Sequence, residues 1–490
     1  MIIWLRNWIN QLFQVLDRME KEKTTTATIE PKVIEELGKS AAVSYDASAE
    51  IDITKHKIYD EVARPKKLVK KDGQSRYIDP ARLPMALQDI IVTRRVAFMN
   101  LGKVKLFAEP NGNQEERAFS LLQRLRDNNK VAFKESEICD ILNRELQCAK
   151  LWYSTEATDA SHWGGFSTVK KDFKMQVLSP SRGDTLLPVF DNTGNLIYFG
   201  RQYKRSKSID EILAQPEGEK EVECFDIYSS TQLAKFEKGD SDWSPMEVIP
   251  LPYGKIPVIY YSKSRPIWAN VQPLIERLET VLSNFADTND YHASPTLVFK
   301  NVKDAKAQEK GENGKAVLIE GDNANVEYVT WDHSVDAIKL EIDTLVNAIY
   351  SLTQTPNISF EEMKSLGDLS GVAFDRVFID AHLASRREIE GGYGELIQRG
   401  INLEMALLAT MDTTLRGAFS TLSVTFEAPH FKLDDLDADV SLALRAYEGG
   451  LISRATAIGM SGLVTNVEDE EKRIDGENAA LVKTEQNGKE

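Results

Sequence analysis

The chain has 490 residues, enough for about three domains at roughly 150 residues each. It is 42% hydrophobic and 28% charged, which excludes a wholly disordered chain. A net charge of −16 excludes a simple nucleic-acid binder, which needs a basic surface to release counterions, but not a protein that handles DNA without gripping it.

The N-terminal stretch places Trp4, Trp8, Leu12, Val15 and Met19 at helical spacing, with polar residues between them that rule out a signal-peptide core. It reads as an amphipathic helix docked on its own chain or a neighbouring subunit, with a membrane-surface helix as the alternative. An extended arm follows to Ile51. Residues 55–76 carry eight basic residues against three acidic ones, read as a solvated hairpin turning at Asp72-Gly73 or as an interface for an acidic surface. The spacing of Leu83, Leu87, Ile90, Ile91 and Phe98 predicts a helix over 80–101, and a second helical region spans 114–150. From 151 to 259 the period drops to two. Strands are expected at Lys174–Leu178, Leu187–Phe190, Leu196–Tyr203, Glu221–Tyr228 and Gln232–Phe236, with turns such as Asn192-Thr193-Gly194 between them.

A strand at 257–261 leads into a long helix. Trp268, Val271, Ile275, Leu278, Leu282 and Phe285 form its apolar stripe, and Glu276, Thr280, Ser283, Asp287 and Asp290 the opposite polar one. Pro295 ends it. Three short β-type pieces follow, with a loop bearing Lys303, Lys306, Lys310 and Lys315. A second amphipathic helix then sets Val335, Ile338, Ile342, Leu345, Ile349 and Leu352 against Asp336, Lys339, Asp343 and Asn347. The two helices bracket a small α/β insert. After Pro356 come a loop and a long helix from Ser370 to about Met411, kinked at Gly391-Gly392 and Gly394. A strand at 422–427 and helices at 439–448, 451–459 (capped by Ser453) and 467–474 complete the chain, and the tail from Gly476 is read as disordered.

Catalytic patterns do not emerge. Gly311 to Ala316 has the wrong spacing for a P-loop, no H-E-x-x-H occurs, and Asp435 to Asp439 lacks the glycine and glutamate of a calcium loop. The six histidines are scattered. Cys139, Cys148 and Cys224 fit no metal spacing and read as buried thiols in a reducing compartment. No run of 18 apolar residues marks a membrane span. No metal, cofactor or catalytic residue is expected.

Several blocks in the middle of the chain occur in a familiar order. They are Gly254 to Tyr261, Leu274 to Glu279, Ser283 to Tyr291, Ser294-Pro295, Asn347 to Thr353, Thr355-Pro356-Asn357 and Ser370 to Ala373, with Gly450 to Ser453 and Val467 to Glu470 beyond them. The chain resembles the tailed-bacteriophage portal proteins of the SPP1-like type, well over 250–475 and weakly over 80–105. The resemblance implies an α+β portal fold: mainly helical, with a β-rich wing, two stem helices around a small α/β clip, a helical crown, and assembly into a ring. Its parts would be an N-terminal helix and arm (1–45), wing (46–265), first stem helix (266–293), clip (294–332), second stem helix (333–354), tunnel loop (355–369), long kinked helix with a wing strand (370–428), crown (429–475) and tail (476–490).

In such a family twelve copies usually form the head-tail connector at one capsid vertex, through which double-stranded DNA is packaged and ejected. The implied partners are other copies of the chain, DNA in transit, the terminase large subunit, the major capsid protein with its scaffold, and head-completion or adaptor proteins. The implied location is the virion, with the host cytoplasm during assembly. Asn357, Ser359, Glu361, Glu362 and Lys364 would be the tunnel-loop contacts with DNA, the polar stripes of both stem helices would line the channel, and Lys303, Lys306, Lys310 and Lys315 would dock an acidic partner. Two other readings stay open: a non-ring helical capsid or scaffold component, and a metal-dependent hydrolase built from scattered carboxylates.

Overall fold

The computed structural model describes residues 30–41, 43, 45–71, 74–156, 171–207, 209, 220–239, 242–292, 296–300, 304–305, 319–320, 325–329, 335–357, 378–428, 436–464, 466–467 and 469–477. Helices and sheets are mixed. The chain divides into two compact units, one of Met1–Thr355 with Arg386–Pro429 and one of Pro356–Ser385 with His430–Glu490.

The first unit opens with α1 (Pro31–Ala41). A hairpin of β1 (Lys67–Lys71) and β2 (Gln74–Ile78) follows, in which Lys71 pairs with Gln74. Asp72-Gly73, expected as the turn, lie outside the described residues. Next comes α2 (Leu87–Met99). The expected helix over 80–101 is therefore shorter at its start. Pro80 and Pro84 disfavour helical angles at the residues before them, and 81–86 has no regular secondary structure. After β3 (Lys105–Ala108), the expected 114–150 helix divides into α3 (Asn113–Asn128) and α4 (Val131–Glu145). Lys130 and Leu146, both in the left-handed region, mark the two breaks.

The β-rich part builds two antiparallel sheets. One has the order β11-β4-β5, from Val258–Ser262, Gln147–Glu156 and Lys171–Leu178. The other has the order β10-β9-β8-β7-β6, from Trp243–Pro250, Gln232–Lys238, Glu221–Tyr228, Leu196–Ser206 and Thr185–Phe190. Strand β10 escaped the sequence reading because it is an edge strand whose residues are mostly exposed and do not alternate. Helix α1 lies across β6 and β7, with Ile34 and Leu37 packed on Leu187 and Phe225. Gly38 and Gly200 permit this approach, since a Cβ on Gly38 would sit 2.6 Å from that of Leu187.

The long helix α5 (Gln272–His292) leads to short strands β12 (Thr296–Lys300), β13 (Asp304–Ala305), β14 (Ile319–Glu320) and β15 (Asn325–Val329). Helix α6 (Val335–Leu352) returns and packs on α5. Strands β12 and β15 pair antiparallel, as do β13 and β14.

Helix α7 (Ile379–Glu388) passes through a wider π-type turn at Ile389–Tyr393 into α8 (Gly394–Met411). The expected kink is there, at Gly392, whose backbone leaves helical angles (φ 159°, ψ −42°). Helix α9 (Arg416–Thr421) then delivers β16 (Val424–Glu427), which pairs with β3 over three hundred residues earlier in the chain. The largest core lies among α3, α4 and α8, where Leu121, Leu125, Ile138, Leu142, Ile401 and Leu408 meet. Two ion pairs are sealed nearby, Lys150 with Glu135 at 2.5 Å and Arg126 with Glu404 at 2.7 Å. All three cysteines are free and buried, and burial pushes their thiols up, away from reactivity.

In the second unit α10 (Leu436–Glu448) and α11 (Arg454–Ser461) form a helical hairpin. Ser453 caps α11, its side chain accepting from the Thr456 N–H.

Candidate functional site

The apolar stripe of α5 folds as its spacing requires. Ile275 and Leu278 on α5, with Trp268 and Val271 in the turns before it, pack against Leu87, Ile91 and Val92 of α2 and against Ile349 of α6. Arg277 on α5 bridges to Glu341 on α6 at 2.7 Å, and the Arg94 guanidinium stands 4.8 Å from the Tyr350 ring centre. At the end of α6 the buried Arg95 donates to the Thr353 carbonyl at 2.7 Å.

Much of the polar stripe of α5 is met by the chain's own residues 56–67 and 81–85. The stretch after Pro80 lies along the helix and presents alternate N–H groups to it. Ala81 donates to Asp287 Oδ1 (2.8 Å), Leu83 to Ser283 Oγ (3.0 Å) and Met85 to Glu279 Oε1 (2.8 Å). Two extended residues advance about 6.7 Å and four helical residues about 6 Å, so a period of two on one partner matches a period of four on the other. Pro84 lacks an N–H but occupies one of the intervening positions, so none is lost.

Ion pairs reinforce this strap. Asp287 holds Arg64 at 2.5 Å and Lys67 at 2.7 Å, and Glu276 holds Lys57 at 2.9 Å. Burial alone would raise the Asp287 carboxyl, but the bonds from Lys67 and the Ala81 N–H, with the Arg64 charge, hold it below its usual range. His56 is buried with Nδ1 2.6 Å from Glu279 Oε1 and Nε2 2.8 Å from the Glu50 carbonyl. Each ring nitrogen thus has an oxygen within hydrogen-bond distance. The Glu50 carboxylate accepts from Trp268 Nε1 (2.7 Å) and from the Tyr45 hydroxyl (2.8 Å). Burial and the bond to Glu50 push Tyr45 up to about 12.

This helix–insert–helix core lies within the span matched by one family model. The model is described as "Phage portal protein, SPP1 Gp6-like", and it matches residues 52–484. The chain belongs to the SPP1 Gp6-like family of phage portal proteins.

No curated protein sequence matches this portal chain. Solved structures do. The neck of an empty GTA particle, computed with C6 symmetry, is 12% identical over 77% of this chain and 90% of that one, with a TM-score of 0.36. The neck of the native GTA particle, computed with C12 symmetry, is 11% identical over 78% and 91%, at 0.37. The virion of the native gene transfer agent particle is 12% identical over 79% and 88%, at 0.32. Scores this low describe a loose likeness only.

Placement of the residues singled out from the sequence of this portal chain is uneven. Ser283 is fully buried, and Glu276 and Asp287 are engaged by the strap, so these three do not present a free polar face. The charges of Glu276 and Asp287 are thus met within the chain. Thr280 is half-buried and donates to the Glu276 carbonyl of its own helix. Asp290 is exposed, as are Asp336, Lys339, Asp343 and Asn347 on α6. Asn357 is half-buried. Ser359, Glu361, Glu362 and Lys364 lie outside the described residues, as do Lys303, Lys306, Lys310 and Lys315. Residues 1–29, with the N-terminal amphipathic pattern, also lie outside them.

Sequence reasoning missed Glu279 and His56. Their signal was present only as complementarity, a basic segment at 55–76 and an acidic helix face at 276–290. No group of metal-binding side chains occurs among the described residues, and none of the described helices is long and apolar enough to cross a membrane.

Proposed function

We propose that this portal chain assembles as a closed ring, with twelve copies as the expected number, at one vertex of a phage capsid. Double-stranded DNA enters and leaves through its central channel. The observation that carries the reading is the family match over 52–484 together with a core of two packed helices, α5 and α6, flanking a β insert.

In this reading α6 turns its exposed polar residues Asp336, Lys339, Asp343 and Asn347 toward the channel, with Asp290 of α5. Acidic side chains there repel phosphates, so DNA slides without the tight cationic contacts that would brake it. The loop at 355–369, with Asn357, Ser359, Glu361, Glu362 and Lys364, touches the moving DNA most closely. The insert with Lys303, Lys306, Lys310 and Lys315 docks the terminase large subunit during packaging and head-completion or adaptor proteins afterwards. Major capsid protein and scaffold surround the ring during assembly in the host cytoplasm. ATP hydrolysis belongs to the terminase.

Native mass spectrometry with negative-stain microscopy tests the assembly. Particles of about twelve subunits with a central hole are expected. A chain that stays monomeric both alone and when co-expressed with its phage's capsid and scaffold proteins overturns the reading.

A further inference from the structure

Helices α10 and α11 form a hairpin that scarcely covers its own apolar residues. The turn between them is tightly made: Gly450 takes a φ of +68°, the Gly449 N–H donates to the Arg445 carbonyl, and the Leu451 N–H to the Ala446 carbonyl. Yet Ala443 is the one buried side chain among the described side chains of 439–464. Leu442 is 50% exposed, Leu444 53% and Tyr447 44%. Single exposed leucines are ordinary on a protein surface, but here the residues either side of the buried one are both exposed and both large.

Helical geometry sorts these residues into two flanks. At about 100° per residue, Leu442 and Leu444 stand about 100° to either side of Ala443. Tyr447 falls on the Leu444 side, and so does Glu448, about 40° beyond Leu444. Arg445 falls on the Leu442 side, about 60° beyond it. One flank is thus an apolar residue edged by a cation, and the other is an apolar pair edged by an anion.

We propose that these flanks are the two halves of one head-to-tail contact between copies of this chain. The Leu442 flank of one copy seats against the Leu444–Tyr447 flank of the next, and Arg445 meets the neighbour's Glu448. The charges select this geometry. A two-fold dimer would set each flank against itself, facing Arg445 with Arg445 or Glu448 with Glu448, whereas a translation-like contact pairs opposite charges and leaves each copy with one flank still to fill. Repeated contacts of that kind either close into a ring or run on as a filament. The proposal rests on the ring reading for closure, and it assigns part of the ring's interface to α10.

Cysteine cross-linking tests it in the full-length protein. The native thiols are all buried, so they give little background. The variants are Leu442→Cys, Leu444→Cys and the double variant, at exposed positions where cysteine is tolerated. Under mild oxidation the double variant is expected to give a ladder of covalent oligomers extending to the ring. Each single variant should give less than a tenth of that product. Dimers from either single variant reveal a two-fold contact and overturn the proposal. Rings that form normally while the double variant gives no ladder also overturn it, and leave the ring reading standing. A wild-type chain that never forms rings defeats the ring reading itself. Charge reversal supplies an independent readout: Arg445→Glu and Glu448→Arg should each lower the ring fraction at low salt by roughly tenfold, and the double reversal should restore it. Unchanged ring fractions in both single reversals count against the proposal.

Discussion

Lys150 shows how one residue can be both misplaced by sequence logic and central to the core. It interrupts the apolar run from Cys148 to Trp152, and it is completely buried with its ammonium 2.5 Å from the equally buried Glu135. Gly400 leaves it room, since a Cβ there would stand 2.8 Å from Nζ. Removing two charges from water is costly, and the pair is only partly satisfied, since Glu135 Oε2 has no hydrogen-bond partner. The penalty for breaking such a pair exceeds that for replacing it. Lys150→Met should therefore destabilise the first unit by about 3–5 kcal/mol by leaving Glu135 charged and alone, while Lys150→Met with Glu135→Leu should recover most of that loss. Urea unfolding followed by tryptophan fluorescence would measure both. Equal stability of the single and double variants would mean that the pair contributes through packing alone.

At the scale of elements, the strap on α5 explains which features were legible and which were not. The apolar stripe from Trp268 to Leu282 was readable because helical periodicity is local, and the same holds for Ile342, Leu345 and Ile349 of α6, the strands with clean alternation and the Ser453 cap, whereas Leu352 at the end of the α6 stripe is exposed. The strap over the α5 polar stripe was not legible because the two partners lie about 200 residues apart. The match of such a segment to a helix face leaves no mark on either sequence beyond two prolines and opposite charge. Edge strand β10 and the start of α2 failed for related reasons, one lacking alternation and the other overruled by Pro80 and Pro84. The strap is also pH-dependent. Asp287 is held below its usual range in the folded chain, so its contribution is complete above about pH 4, where the unfolded carboxylate is ionised, and it fades as pH falls through the lowered folded value. Asp287→Asn removes the charge at every pH. It should cost about 1.5–3 kcal/mol locally, speeding exchange of the Ala81 and Leu83 amides by roughly ten- to hundredfold at neutral pH. Hydrogen exchange read by mass spectrometry, corrected for intrinsic rates, should show protection in the wild type declining below pH 4 and none of that decline in the variant. Protection independent of pH in the wild type would remove Asp287 from the clasp.

At the scale of the molecule, the net charge of −16 is distributed so that part of the acidity is spent inside the chain. Glu276, Glu279 and Asp287 answer Lys57, His56, Arg64 and Lys67. Asp336 and Asp343 on α6 remain exposed beside Lys339. If α6 borders the DNA path, ring assembly repeats those two carboxylates in every copy, and the lumen is lined by a field that excludes phosphate. Replacing them with cations should turn a repelling surface into a binding one. Rings of the Asp336→Lys with Asp343→Lys variant should bind a short DNA duplex at least tenfold more tightly than wild-type rings at about 50 mM salt, and the gain should shrink steeply by about 200 mM as released counterions lose their entropic advantage. The same variant should package DNA more slowly, because each new lysine–phosphate contact must be broken for the duplex to advance. Fluorescence anisotropy on purified rings separates the two faces of α6 without any packaging motor. A duplex affinity unchanged at every salt concentration would mean that this face looks away from the DNA, and that whatever lines the channel comes from other residues.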